Sequence, residues 1–193
     1  LPGGPGYIRL TSWSQSLQGE MIEAIRALKD APSLVIDLRG NPGGSGLMVR
    51  NVAAQFLKGE VKAGRALTRT GRPITLAFDL IEVIKLEQVI EGKGLYAGPV
   101  AVLIDGGSGS GSEMFAAILQ SQKRASIVGK LAYSEVGFVL SDGQRVEGTG
   151  VIPDVPVPVS AQDLAVNRDR VLETAVAQLA KAAAPTPDKA AAK

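Results

Sequence analysis

Pro99–Leu119 reads PVAVLIDGGSGSGSEMFAAIL, three pieces in immediate succession. Val100 to Ile104 is an unbroken apolar run, as expected of a strand buried on both faces of a parallel or mixed sheet. Gly106 to Gly111 then alternate glycine and serine, so the backbone can turn sharply and other groups can approach it. From Ser110 or Ser112 the pattern turns helical, with Met114, Phe115, Ile118 and Leu119 at one-face spacing. Strand, glycine turn and helix leave a serine hydroxyl beside the free N–H groups and positive dipole end of a helix. That setting suits a nucleophile whose carbonyl target becomes an oxyanion. It equally suits a plain N-cap, with Glu113 adding favourable first-turn charge, and these residues alone leave both readings open.

The same unit occurs earlier. Ser33–Leu38, SLVIDL, is a near-continuous apolar strand that ends in RGNPGGSG and opens into a helical pattern of Leu47, Val52, Ala53, Phe56 and Leu57. Two such units predict an α/β layer architecture in which the turns at 40–46 and 106–111 meet at one end of the sheet. Gly6–Leu10 is a further short strand, and Ser14 or Ser16 caps a helix to about Leu28 with Met21, Ile22, Ile25 and Leu28 on its apolar face. Glu60–Thr70 and Ile74–Ala77 read as strands, and Phe78–Ile90 as a helix whose β-branched content leaves strand open. Ala125–Val128 and Val136–Leu140 are strands, with Ser141-Asp142-Gly143 a hairpin turn. The proline-punctuated stretch from Gly148 runs extended along an edge. Ser160 and Asp163 form a capping box before a single helix to about Ala183, with Leu164, Val171, Leu172, Ala175, Val176 and Leu179 inward. The expected organisation is a core over 1–159, a C-terminal helix over 160–183 packed on it, and a disordered Ala/Pro/Lys tail over 184–193.

Composition narrows the function. The 193 residues are 45% hydrophobic with a net charge of only +2 and scattered basic residues, which argues against a nucleic-acid partner. No apolar run has the length of a membrane span. The chain starts at Leu1 in mid-pattern, so a preceding segment is expected. It has no cysteine, which excludes disulfides and thiolate chemistry and fits an exported bacterial protein. It has no histidine, which rules out a Ser–His–Asp triad and any imidazole metal site within this chain.

Five stretches, in order, resemble the carboxy-terminal processing (tail-specific) serine peptidases of family S41: GYIRLTSW at 6–13, VIDLRGNPGG at 35–44, Pro99–Leu119, RASIVG at 124–129 and EGTGVIPDV at 147–155. The resemblance implies a spiral of ββα units related to the ClpP and crotonase folds, and a PDZ domain that would lie upstream of this chain. The family's S-A-S-A-S-E turn matches Ser108–Glu113, with the middle serine, Ser110, as nucleophile. It implies an oxyanion hole from the backbone N–H groups of Gly111 and Gly44. Asp37 and Arg39 read as structural partners that hold the glycine turn by charged hydrogen bonds.

The resemblance departs at the base. The family activates its serine with a lysine in V-G-x-x-x-F/Y-G-K-G-x-V-Q. Matched from Val128-Gly129 without a gap, the lysine position is Glu135 and the glutamine position is Val139. A deletion placed directly after Val128 instead makes Lys130 the base. The resemblance thus implies an endopeptidase that cuts polypeptides near their C-termini through an acyl-enzyme on Ser110, in the bacterial cell envelope or periplasm, with no metal or organic cofactor. The alternative is a catalytically inactive member of the fold that binds a peptide or small apolar ligand. An acyl-CoA enzyme of the wider crotonase group would use the same oxyanion architecture but leaves Ser110 unexplained.

Overall fold

A computed structural model describes residues 4–67, 75–76, 81–82, 88–132, 137–143, 145–146 and 150–183. In chain order the elements are β1 (Gly6–Arg9), a 3-10 turn (Gln15–Leu17) running into α1 (Gln18–Ala27), β2 (Leu34–Asp37), α2 (Gly46–Ala53), β3 (Lys58–Leu67), β4 (Thr75–Leu76), β5 (Ile81–Glu82) and β6 (Gln88–Lys93). They continue with β7 (Val100–Ile104), α3 (Gly111–Ser121), β8 (Ser126–Gly129), β9 (Gly137–Val139), β10 (Val155–Pro156), α4 (Ala161–Ala165) and α5 (Arg170–Ala183).

Alternation along the apolar strands sets the layers. Strands β1, β2, β7, β8 and β10 pair in that order, all in parallel, with Ile36 opposite Val102 and Leu103 opposite Val128. Leu34, Ile36, Val102, Ile104 and Ile127 point into one core with α1, α2 and α3. Val35, Ala101, Leu103 and Val128 point the other way, onto Val171, Ala175 and Leu179 of α5. Both faces are therefore covered, which is why these strands read as continuous apolar runs. Strand β3 pairs antiparallel with β6 and with β9, forming a second, smaller sheet.

Several expectations need correction. The end of the expected helix over 78–90 is strand: Val89 and Ile90 pair with Lys62 and Val61, and Ile90 is buried. There β-branched side chains and a long-range partner outweigh a helical spacing. Residues 160–183 form two helices. Asn167 takes a left-handed φ of 51°, the Arg168 N–H closes on the Asp163 carbonyl, and Asp169 starts α5 by accepting the Leu172 N–H. The capping box of Ser160 and Asp163 is present at α4, but Leu164 is 72% exposed rather than inward. Leu47, expected on an apolar face, is also exposed. The tail 184–193 and Glu135 lie outside the described residues.

Candidate active site

The two glycine turns follow adjacent strands, so β2 and β7 deliver them to the same end of the sheet. They interlock there. The Gly109 N–H and the Ser112 hydroxyl both donate to the Asn41 carbonyl, at 3.0 and 2.9 Å. The Ser108 hydroxyl donates to the Leu38 carbonyl at 2.9 Å, and the Gly40 N–H to Asp105 Oδ1 at 2.9 Å. Gly43, at φ 107°, lies so close to the other turn that a Cβ there would stand 2.7 Å from both Ser110 Cβ and the Gly109 oxygen. Asn41 shapes its own turn: its side-chain oxygen accepts the Gly43 N–H and its amide donates to the Leu10 carbonyl, each at 2.9 Å.

Ser110 stands at the N-terminus of α3 with φ 48° and ψ −108°, outside the regions that side-chain-bearing residues ordinarily occupy. Such a conformation costs about 1–3 kcal/mol and persists where surrounding contacts enforce it. The enforcing contacts are the Gly43 turn and Glu113, whose Oε2 accepts the Ser110 N–H at 2.9 Å. The sharp strand-to-helix turn presents a half-buried serine, the arrangement of a nucleophile elbow. Ser112, the other cap candidate, is fully buried and instead receives the Trp13 indole N–H at 3.0 Å.

Gly44 and Gly111 are neighbours. A Cβ on Gly111 would lie 3.3 Å from the Gly44 nitrogen. Trp13 and Gly44 form a parallel bridge that uses the Gly43 carbonyl and the Ser45 N–H, so the N–H of Gly44 itself is directed away from Trp13. Gly111 is the first residue of α3, where the helix offers its N–H no partner. The Gly44 nitrogen thus lies beside Gly111, the residue that follows Ser110.

Asp37 and Arg39 hold more than the turn. Arg39 binds the fully buried Asp37 through both side-chain oxygens and binds Asp169, at the start of α5, in the same two-pronged way. The Tyr7 hydroxyl adds a third donor to Asp37 at 2.6 Å. Burial pushes the Asp37 carboxyl up, but the hydrogen bonds from Arg39 and Tyr7 outweigh it and hold the pKa below its usual value. Asp169 is likewise held down, chiefly by its hydrogen bonds from Arg39. The cluster ties the sheet's end to the C-terminal helix.

Lys130 directly follows β8. Its side chain is exposed and lines a cavity of about 340 Å³ with Arg39, Asp105, Leu164 and Arg168, to which Ser110 does not contribute. No hydrogen bond joins it to Ser110 among the described residues. Sequence reasoning also missed Trp13, Asn41 and Ser108 as parts of the site. The signal for Asn41 was its place before Pro-Gly-Gly, and for Trp13 its place just past an apolar strand. Among the described residues no group of three or more acidic side chains is placed to hold a metal, and no helix is long and apolar enough to cross a membrane.

The model of peptidase family S41 matches residues 4–138. The chain belongs to that family. It is 30% identical over 152 residues to carboxyl-terminal-processing peptidase 3 of Arabidopsis thaliana, a chloroplast protein, covering 78% of this chain and 27% of the relative. It is 27% identical over 188 residues to the carboxyl-terminal-processing protease of Synechocystis, covering 93% of this chain and 40% of the relative. The chain therefore spans well under half the length of these relatives. Among solved structures, a peptidase of Parabacteroides merdae superposes with a TM-score of 0.71 at 19% identity, over 90% of this chain and 60% of the other. The photosystem II D1 C-terminal processing protease superposes with a TM-score of 0.59 at 24% identity, over 78% and 42%. These likenesses establish the α/β spiral fold of the family's peptidases.

Proposed function

We propose that the S41 chain is the catalytic part of a serine endopeptidase that cuts polypeptides near their C-termini, with Ser110 as nucleophile. The observation that carries this reading is the conformation of Ser110, φ 48° and ψ −108°, between two interlocked glycine turns. The hydroxyl attacks the scissile carbonyl, the carbonyl oxygen takes up negative charge, and the N–H groups of Gly44 and Gly111 receive it. Collapse expels the new amine and leaves an ester on Ser110, which water then hydrolyses. The names of the relatives support the C-terminal processing role.

A proton acceptor for Ser110 completes the reaction. A lysine base must be buried beside the serine, and Lys130 is exposed at another cavity. Glu135, which takes the family's lysine position without a gap, is the other candidate. The first test is labelling with a fluorophosphonate probe, read together with cleavage of an unstructured peptide. Ser110→Ala should lose both and keep the folded circular-dichroism spectrum. Cleavage at the wild-type rate in Ser110→Ala would refute the assignment.

A further inference from the structure

The chain contains one tryptophan, and it stands where the two turns meet. Trp13 is fully buried and its indole packs at 5.0 Å from the Phe115 ring. Its backbone N–H donates to the Gly43 carbonyl at 3.1 Å, and its carbonyl accepts the Ser45 N–H at 2.7 Å. Those two bonds fix the peptides on either side of Gly44. Its indole N–H donates to the Ser112 hydroxyl at 3.0 Å, which donates on to the Asn41 carbonyl at 2.9 Å. That relay fixes the first turn of α3, where Gly111 begins. One residue therefore holds both N–H donors, Gly44 through its backbone and Gly111 through its side chain.

We propose that Trp13 is a positioning residue of the oxyanion hole, acting through Ser112, an inference that rests on Ser110 being the nucleophile. A buried indole N–H needs an acceptor, but a carbonyl would satisfy it as well. Here the acceptor is a hydroxyl two residues past Ser110 that passes the bond to the opposite turn. The consequence is kinetic. Loss of a whole oxyanion donor lowers kcat by about 100- to 1,000-fold. Breaking the relay loosens the Gly111 donor without removing it and leaves the backbone bonds around Gly44 in place, so it should lower kcat by about 10- to 100-fold, with KM little changed, because the donor acts on charge present only in the transition state.

The experiment compares wild type, Trp13→Phe, Ser112→Ala and the double variant in fluorophosphonate labelling and in ester hydrolysis. Trp13→Phe keeps a ring against Phe115 but removes the indole N–H together with part of the buried ring, whereas Ser112→Ala removes the N–H's partner without touching the ring. The double variant should be no slower than the slower single one, since both break one relay. A spectroscopic readout accompanies this: the single indole N–H resonance should shift when Ser110 is labelled. Trp13→Phe and Ser112→Ala both labelled at the wild-type rate, or an indole resonance unmoved by labelling, overturns the inference alone. A wild-type protein that is not labelled overturns it together with the nucleophile assignment.

Discussion

Replacing Gly43 by alanine tests the interlocking of the turns without assuming any reaction. The added Cβ would stand 2.7 Å from Ser110 Cβ, 2.7 Å from the Gly109 oxygen and 2.8 Å from the Gly111 nitrogen, two of which are backbone atoms in a packed turn. A φ of 107° adds conformational strain of about 1–3 kcal/mol. Overpacking adds a further cost of about 1–3 kcal/mol. The sum, about 2–6 kcal/mol, is a large part of a typical domain's stability of about 5–15 kcal/mol. Gly40→Ala is the internal control. Gly40 also has positive φ, 70°, but nothing lies within 4 Å of its added Cβ, so only strain of about 1–2 kcal/mol applies. Both changes remove the same backbone freedom from the unfolded chain, which cancels in the comparison. Urea denaturation should show Gly43→Ala less stable than Gly40→Ala by more than about 1 kcal/mol. Equal midpoints would refute the close approach of the two turns. Labelling of Ser110 should fall with Gly43→Ala and persist with Gly40→Ala, because only Gly43 presses on Ser110.

Much of this fold was legible because its strands are buried on both faces, and such strands announce themselves as apolar runs. SLVIDL and VAVLI needed no partner information to be found, and the glycine turns after them marked where the chain reverses. Helix boundaries were less visible where a single residue decided them. Asn167 breaks 160–183 by taking a left-handed φ, and nothing in the surrounding amphipathic pattern signals that choice. The strand at Gln88–Lys93 depends on pairing with Lys58–Gly64, a distant partner that local periodicity does not encode. At the site, the serine turn and RGNPGG were legible from composition and family likeness. Trp13 was not, because its contribution lies in contacts with Gly43, Ser45 and Ser112, residues it meets only after β1 and β2 have paired. The expectation for Lys130 came from closing a gap in a motif, and spacing carries no information on which side of a strand end a side chain leaves. The structure sends it to the cavity beside Arg39.

The Asp37–Arg39–Asp169 cluster makes stability depend on pH in a definite direction. Both carboxyls titrate below their ordinary value in the folded protein, so their contribution is complete above about pH 4, the unfolded value, and is lost as pH falls through the folded values. Denaturation midpoints should therefore drop on acidification below about pH 4, and Asp169→Asn should flatten that drop; an unchanged slope would remove Asp169 from the cluster's energetics. The final prediction concerns the base. A lysine takes a proton from serine near neutral pH only when burial or neighbouring positive charge displaces its own proton. Lys130 has an exposed side chain in a cavity that Ser110 does not reach, so Lys130→Ala should keep labelling and peptide cleavage within about two-fold of wild type. Glu135 follows β8 at the position the family gives its lysine, so Glu135→Gln should lower kcat by about 100-fold or more, in the range of a lost general base. If Lys130→Ala is inactive while Glu135→Gln is not, the gapped match is right and Lys130 reaches Ser110 after all.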